Sequence, residues 1–211
     1  MKAEPILNAL CGRVPALEGC RADIWASFVA TRKAFAGGGK LLICGNGGSA
    51  ADAEHIVGEL MKSFRLPRPL PEALRTALLA EGEAGCTLAE GLQAPLPALA
   101  LTGQIALSTA FANDADPALG FAQQVLGYGR VGDVLLCIST SGNAANVRYA
   151  AHTARVLGMT VLGLTGKGGG ALAPLCDTCI RVPARETFLV QELHLPVYHA
   201  LCEMLEAAFF S

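Results

Sequence analysis

Two turns rich in glycine and hydroxyl groups carry the strongest chemical signals in the sequence. Gly45-Asn46-Gly47-Gly48-Ser49 and Ser139-Thr140-Ser141-Gly142-Asn143 each follow a short apolar run. Each is expected to open a helix, where free backbone N–H groups and the helix dipole favour an anion. In the second turn three hydroxyls add hydrogen-bonding groups, and Gly142 permits close backbone approach. Together they predict a phosphate site, whereas either turn alone is equally consistent with an ordinary capped turn.

A second group of polar side chains falls on two predicted helices. His55 and Glu59 are four residues apart and share one helix face. On the last helix, Gln191 and His199 are about two turns apart and also share a face, with His194 nearby. Imidazole, carboxylate and amide groups suit acid–base chemistry or a divalent ion such as Zn²⁺. The alternative is a set of solvated or hydrogen-bonded core residues, since polar groups among apolar neighbours need partners.

The elements that must position these residues follow from alternating apolar and helical patterns. Strands are predicted at 40–44, 98–102, 133–139, 159–165 and 178–182, with helices between them and a last helix over 187–209. This alternation predicts an α/β fold, a three-layer αβα sandwich with a mostly parallel five-stranded sheet. Ligands bind beyond the carboxyl ends of such strands, so both turns are expected at one edge of the sheet.

The domain organisation is predicted to be simple. Residues 1–39 form an N-terminal helical segment that ends at three glycines, and residues 40–211 form the sheet-containing domain. Ser49 is expected to cap the helix that follows the first turn. Residues 65–97, rich in proline and glycine, are expected to form an excursion with one short helix near 72–81.

Composition narrows the class of protein. Hydrophobic residues make up 52% of the chain and charged residues 16%, which predicts a sheet covered on both faces and apolar helix surface buried between subunits. The net charge of −2, without a Lys/Arg run, argues against nucleic acid and against an anionic membrane. No apolar run reaches the ~18 residues that span a bilayer, and no signal peptide is recognised, so a cytoplasmic location is expected.

The eight cysteines are interpreted as packing thiols in a reducing cytoplasm. Cys44 and Cys137 lie inside strand-like runs, as small core residues do. Cys176 and Cys179 form a CxxC pair, which can be redox-active or bind a metal. Neither a second CxxC nor a nearby Cys-His pair accompanies it.

As a set, these motifs resemble those of the phosphoheptose isomerases, a family with the sugar isomerase (SIS) fold. Residues 44–59 resemble the first loop and helix of the family, 113–114 its Asn-Asp pair, 139–143 its phosphate loop and 186–199 its last helix. The resemblance implies an aldose–ketose isomerase that interconverts sedoheptulose 7-phosphate and D-glycero-D-manno-heptose 7-phosphate. It also implies a homotetramer whose N-terminal helices pack as an interface and whose active sites lie near subunit boundaries.

The same resemblance implies roles for individual residues. Glu59 would act as general base and His199 as general acid, through a cis-enediol. One Zn²⁺ per subunit would be held by His55, Glu59, Gln191 and His199. The implied substrate-binding residues are Asn46, Gly47, Gly48, Ser49, Glu59, Asn113, Asp114, Ser139, Thr140, Ser141 and Gln191.

The sequence departs from the family at two places, and two alternatives stay open. Ala144 stands where the family usually has a serine, and residues 62–97 are longer than expected. Both features bear more on which sugar is bound than on the reaction. One alternative is an isomerase of another phosphosugar. The other is a non-catalytic SIS protein that binds sugar phosphates, such as a factor associating with a replication initiator, although the retained Glu59 favours an enzyme.

Overall fold

The chain folds around a five-stranded sheet in which every pairing is parallel. The structure, a computed structural model, describes residues 2–211. The strands are β1 (Leu41–Cys44), β2 (Ala98–Ala100), β3 (Val134–Ser139), β4 (Thr160–Thr165) and β5 (Thr178–Arg181). All five lie where the apolar runs predict them, and their ends differ from the prediction by no more than two residues.

Helices connect and flank these strands. They are α1 (Ala3–Arg13), α2 (Arg21–Ala36), α3 (Gly48–Met61), α4 (Glu72–Leu79), α5 (Glu83–Gly91), α6 (Ile105–Asp114), α7 (Gly120–Tyr128), α8 (Ala145–Val156) and α9 (Thr187–Phe210). Short 3-10 turns lie at Pro15–Cys20, Pro117–Leu119 and Ala173–Leu175. Within residues 2–211, no helix has the length and apolar character that a bilayer crossing requires.

The proline-rich excursion contains the short helix predicted near 72–81, observed as α4, and a second helix, α5, that was not predicted. Gly82 has φ +76°, and this left-handed residue turns the chain between α4 and α5. A Cβ at Gly85 would collide with the carbonyl oxygen of Leu78, so α5 can approach α4 closely only because residue 85 is glycine. The two helices pack mainly against each other.

Both faces of the sheet are covered, as predicted. Leu41 and Ile43 point to a core shared with α1, α2, α3 and α9, whereas Leu42 and Cys44 point to a second core shared with α7 and α8. Alternate residues of one strand thus enter different cores, and all four are buried. This explains why the strands read as continuous apolar runs and confirms the three-layer sandwich.

The order of the strands creates a crevice where the two glycine-rich turns lie. The order is β2-β1-β3-β4-β5, so the chain leaves β1 toward one edge and β3 toward the other. The helix after β1, α3, packs on one face, and the helix after β3, α8, packs on the opposite face. The carboxyl ends of β1 and β3 therefore flank a topological switch point, the place where open α/β sheets bind ligands.

A fully buried ion pair joins the end of α3 to α9. The side chains of Arg68 and Glu206 are both 0% exposed, and Arg68 Nε donates to Glu206 Oε1 at 2.8 Å. The remaining guanidinium nitrogens donate to the carbonyl oxygens of Leu60 (2.6 Å) and Glu59 (3.1 Å). The guanidinium also lies over the ring of Phe210, 4.9 Å from its centroid. Arg68 thus satisfies carbonyl groups that the end of a helix would leave without partners.

Glu206 completes the same joint from the other side. Its carboxylate accepts hydrogen bonds from the backbone N–H groups of Phe64 (2.8 Å), Arg65 (2.8 Å) and Leu66 (3.0 Å). Burial alone would raise the pKa of Glu206, but these N–H groups and Arg68 hold it below its usual value. The chain leaving α3 is therefore fastened to α9 by a charged group that keeps its charge.

Replacing Glu206 tests this joint. Glu206→Gln is expected to lower the free energy of unfolding by about 3–5 kcal/mol, because the buried guanidinium loses its counter-charge. Chemical denaturation followed by circular dichroism measures the change. The control is Glu203→Gln, which removes the partner of the exposed Arg65 and should cost no more than about 1 kcal/mol. Equal losses in the two variants would contradict the role assigned to the buried pair.

Candidate active site

The β3 turn, residues 139–143, is shaped by its own hydroxyl groups. Ser139 ends β3 and is buried, and its Oγ accepts a hydrogen bond from the N–H of Gly142 at 3.2 Å. Ser141 is exposed, and its Oγ accepts from the N–H of Asn143, also at 3.2 Å. Thr140, between them, is half-buried. The three predicted hydroxyl residues therefore lie together at the crevice, just before α8.

The chain after β4 clasps this turn. The N–H of Gly166 donates to the carbonyl oxygen of Thr140 at 3.0 Å, and the N–H of Ala171 donates to Oδ1 of Asn143 at 3.0 Å. Gly142 has φ +68°, and a Cβ there would collide with the carbonyl of Gly169. Only glycine fits both the backbone conformation and the space at residue 142.

The β1 turn, residues 45–49, differs from its expected form in one respect. Gly47 adopts φ +57° and ψ −122°, a conformation open essentially to glycine, and α3 begins at the next residue. Ser49 is therefore buried inside the first helical turn and does not act as the predicted cap. Its N–H donates to the carbonyl oxygen of Asn46 at 3.0 Å. A Cβ at Gly48 would collide with the side-chain amide of Gln191, which packs against this turn.

A pair of amides bridges the two sides of the crevice. Asn46 Nδ2 donates to Asn146 Oδ1 at 2.9 Å, and Asn146 Nδ2 donates to Asn46 Oδ1 at 2.8 Å. Asn146 lies in the first turn of α8, and the sequence argument missed it. A cleft of about 280 Å³ opens beside the pair, lined also by Gly45, Thr102 and Phe121.

His55, Glu59 and His199, the acid–base cluster, meet between α3 and α9. His55 Nε2 lies 3.2 Å from Glu59 Oε1 and 3.4 Å from His199 Nε2. Burial and the neighbouring His55 lower the pKa of His199. The cluster borders a cleft of about 410 Å³ between α1 and α9, which Arg13 and Arg65 also line. The structure thus joins three residues that the sequence places on two separate helices.

Two residues that the sequence argument missed hold the other nitrogen of His55. Tyr198, almost fully buried, donates its hydroxyl proton to Asp52 Oδ1 at 3.2 Å and lies 3.1 Å from His55 Nδ1. Burial raises the pKa of the Tyr198 hydroxyl, so that its proton is retained. The hydroxyl oxygen then accepts a hydrogen bond from Nδ1–H of His55. This series of hydrogen bonds assigns to His55 the tautomer that has a free lone pair on Nε2. The sequence offered one signal for Asp52: it lies three residues before His55, and this spacing places both side chains on the same helix face.

Two imidazoles and a carboxylate, the side chains of the acid–base cluster, are of the types that commonly ligate divalent ions. The spacings of 3.2 and 3.4 Å around His55 Nε2 are close to the edge, about 3.3 Å, of a tetrahedron with zinc–ligand bonds of about 2.0–2.1 Å. Among residues 2–211, no three His, Cys, Asp or Glu side chains are already arranged around one metal position. Gln191, the fourth ligand implied by the resemblance, contacts Gly48 at the other end of α3.

The remaining predicted residues lie apart from the cluster. Asn113 and Asp114 are exposed at the end of α6 and hydrogen bond to each other at 2.9 Å. Helix α6 packs on Pro117–Leu119 and α7. Gly48 and His55 are separated by seven residues of α3, or roughly 10 Å along its axis. Within one chain, the two glycine-rich turns and the acid–base cluster are therefore separate features.

Comparison with known proteins shows consistent similarity. Residues 80–166 match the family model described as SIS domain. The chain is 43% identical to the phosphoheptose isomerase of Rhodospirillum rubrum, across 82% of this chain and 79% of the relative. It is 42% identical to that of Desulfovibrio desulfuricans, across 82% of this chain and 70% of the relative.

Solved structures show the same similarity in three dimensions. The phosphoheptose isomerase GmhA of Neisseria gonorrhoeae superposes with a TM-score of 0.73 at 30% identity, covering 98% of this chain and 100% of that one. A phosphoheptose isomerase of Francisella tularensis superposes with a TM-score of 0.72 at 31% identity, covering 97% and 94% of the two chains.

The clasp on the β3 turn generates a prediction for Gly142. Gly142→Ala is expected to lower the free energy of unfolding by roughly 3 kcal/mol, because left-handed strain and overpacking against Gly169 add together. Gly38→Ala is the matched control, since Gly38 has φ +79° but open space around its Cβ position. It should cost only about 1 kcal/mol. Thermal or urea unfolding measures both variants, and equal losses would contradict the collision.

A buried histidine generates a second prediction, on pH. His194 is fully buried, and burial lowers its pKa to about 4, against an opposing effect of the Thr165 backbone. In the unfolded chain, the His194 imidazole binds a proton below about pH 6.5. In the native chain it binds one only below about pH 4. The free energy of unfolding should therefore fall by roughly 3 kcal/mol across that window and be unaffected by this group above it.

Urea unfolding at several pH values measures the slope, which His194→Leu should reduce because leucine takes up no proton. His152→Gln is the control, since His152 is exposed and its replacement should leave the slope unchanged. An undiminished slope in His194→Leu would assign the acid sensitivity to other groups.

Proposed function

The chain belongs to the phosphoheptose isomerase family and is a sugar-phosphate isomerase, and we propose that it interconverts sedoheptulose 7-phosphate and D-glycero-D-manno-heptose 7-phosphate. In this proposal Glu59 is the general base and His199 the general acid. The observation that carries the assignment is the position of His55, whose Nε2 contacts both groups. The Glu59 carboxylate and the His199 imidazole thereby lie within 3.4 Å of one nitrogen of His55.

The proposed reaction moves one proton between neighbouring carbons. The Glu59 carboxylate removes the proton from the carbon next to the carbonyl, while His199 donates a proton to the carbonyl oxygen. The product is a cis-enediol. Glu59 then returns its proton to the other carbon, and His199 recovers a proton from the other hydroxyl. Because the pKa of His199 is lowered, its imidazole is neutral at pH 7. In this form it can donate a proton to one substrate oxygen and later recover a proton from the other.

We propose that His55, Glu59 and His199 hold a divalent ion such as Zn²⁺; Gln191, the fourth ligand implied by the resemblance, lies at the other end of α3 within one chain. When bound, the ion would polarise the carbonyl group of the substrate. Asp52 and Tyr198 support this role of His55, because they orient its free Nε2 lone pair toward Glu59 and His199.

The β1 and β3 turns are proposed to bind the substrate. Ser139, Thr140 and Ser141 offer hydroxyls at the start of α8, where the helix dipole favours a phosphate. The other proposed substrate-binding residues are Asn46, Gly47, Gly48, Ser49, Gln191, Asn113 and Asp114. Ala144 is the N-cap of α8 and forms no side-chain cap, so one hydroxyl is missing from this anchor.

Exposed apolar surface supports the proposal that the protein is a homotetramer with active sites near subunit interfaces. Leu74 and Leu79 of α4, Leu88 of α5 and Ile105 of α6 are all exposed. Surfaces of this kind mark contacts with other proteins. The separation of the turns from the acid–base cluster is also what a site shared between subunits requires.

Replacing the proposed base tests the mechanism. Glu59→Gln should reduce turnover by about 10²–10⁴-fold, because the amide cannot accept the proton, with little loss of sugar-phosphate binding. NMR exchange on a panel of ketose phosphates measures turnover, and calorimetry measures binding. Glu54→Gln is the control on the same helix, since glutamine can still accept the hydrogen bond from Thr102.

Three outcomes of these measurements are informative. Near-normal turnover in Glu59→Gln would remove Glu59 as the base. Wild-type exchange on a different phosphosugar alone would correct the substrate. Absence of exchange on every sugar of the panel, with binding retained, would favour a non-catalytic sugar-phosphate-binding protein.

A further inference from the structure

Three cysteines and a glycine form one row across the sheet. Cys44 of β1 pairs in register with Cys137 of β3, Cys137 pairs with Gly163 of β4, and Gly163 pairs with Cys179 of β5. The thiols of Cys44 and Cys137 are 3.8 Å apart. Side chains in register on parallel strands point to the same face, so the row lies in a single layer.

The glycine in this row brings the two sulfurs of the CxxC pair together. A Cβ at Gly163 would lie 2.8 Å from the sulfur of Cys176 and 2.8 Å from the sulfur of Cys179. Both sulfurs therefore border the small space left by the missing side chain. Residues three apart along a regular strand point to opposite faces, and Cys176 reaches this space because it lies before β5, after the 3-10 turn.

Solvent access separates the pair from the other thiols of the row. Cys44 and Cys137 are 0% exposed, whereas Cys176 and Cys179 are half-buried. The hydrogen bond with Cys44 and burial raise the pKa of Cys137 well above its usual value. Cys44 and Cys137 are thus inert packing thiols, as the sequence predicts, and Cys176 and Cys179 are open to reagents.

The two accessible thiols have unequal character. The neighbouring thiol of Cys176 lowers the pKa of Cys179 to about 7 against the effect of burial, helped by the Thr165 hydroxyl and by Arg181. The Thr165 oxygen lies 3.6 Å from the Cys179 sulfur. The same contact with Cys179 raises the pKa of Cys176. Cys179 is therefore the more acidic thiol of the two and Cys176 is a thiol held beside it, the division of roles found in dithiol redox sites.

The surroundings of the pair allow a bond to close. β5 is an edge strand that pairs with β4 alone, and Cys176 lies outside regular structure.

We propose that Cys176 and Cys179 form a dithiol site that reacts with small disulfides of the glutathione class and closes a reversible intramolecular disulfide. The Cys179 thiolate attacks one sulfur of oxidised glutathione, forms a mixed disulfide and releases glutathione thiolate. That thiolate accepts the Cys176 proton, and the Cys176 sulfur then attacks Cys179 and releases the second glutathione. Two protein thiols are oxidised, and one glutathione disulfide is reduced to two thiols.

The experiment uses the full chain with Cys86→Ser, which removes the exposed lone cysteine of α5. The protein is incubated with oxidised glutathione, free thiols are blocked with an alkylating reagent, and intact mass and peptide mapping follow. We expect a 176–179 disulfide without attached glutathione, reversed by dithiothreitol. In the same background, Cys176→Ser should retain glutathione on residue 179, and Cys179→Ser should react at least about tenfold more slowly.

Three results would overturn the proposal: wild-type chain that keeps both thiols, glutathione that accumulates on the Cys86→Ser protein without ring closure, or a disulfide that maps to Cys44 and Cys137. Peptide mapping of the wild-type chain gives the answer even where a serine variant folds poorly. The experiment measures the oxidation state of the thiols and not isomerase turnover. Its result is therefore independent of the substrate and mechanism proposed above.

Discussion

The guanidinium of Arg68 and the carboxylate of Glu206 lie out of contact with water, between the end of α3 and the middle of the last layer of helices. Burial of two charges is favourable only where nearly every donor and acceptor finds a partner, and here the surrounding backbone supplies those partners. The pair therefore does more than join two side chains. It ends α3 at a defined place, turns the following chain and fixes the distance between α3 and α9.

This joint sets the alignment of the two helices that carry the proposed chemistry. Contacts occur in the same order along both helices, Gly48 with Gln191 and then His55 with His199, which shows that α3 and α9 run side by side in one direction. Arg68, in the chain just after α3, continues this order with Glu206. A slip of one turn, about 5.4 Å, would separate His55 from His199. The charged joint at one end and the glycine contact at the other prevent that slip.

Much of the fold and part of the site follow from the sequence, and the failures have physical causes. The strands are predictable because both faces of the sheet are covered, which makes each strand a continuous apolar run. The meeting of His55 with His199 depends on helix alignment, which is set by Arg68 in a segment that looks like a loop. Ser49 is a residue type that often caps the N-terminus of a helix, but the conformation of Gly47 starts α3 one residue before Ser49. Tyr198 was not identified from the sequence because its role depends on one buried hydroxyl among apolar neighbours.

The amide bridge at the crevice has a consequence for molecular recognition. Each amide has two N–H donors and two lone pairs, and the reciprocal bonds consume one of each. Asn146 Oδ1 also accepts from the N–H of Val147, so its capacity is filled. One N–H group on each amide and one lone pair on Asn46 are left over. The rim of the crevice is thus an uncharged surface with both hydrogen-bond polarities, suited to a vicinal diol, in which each hydroxyl gives one hydrogen bond and receives another.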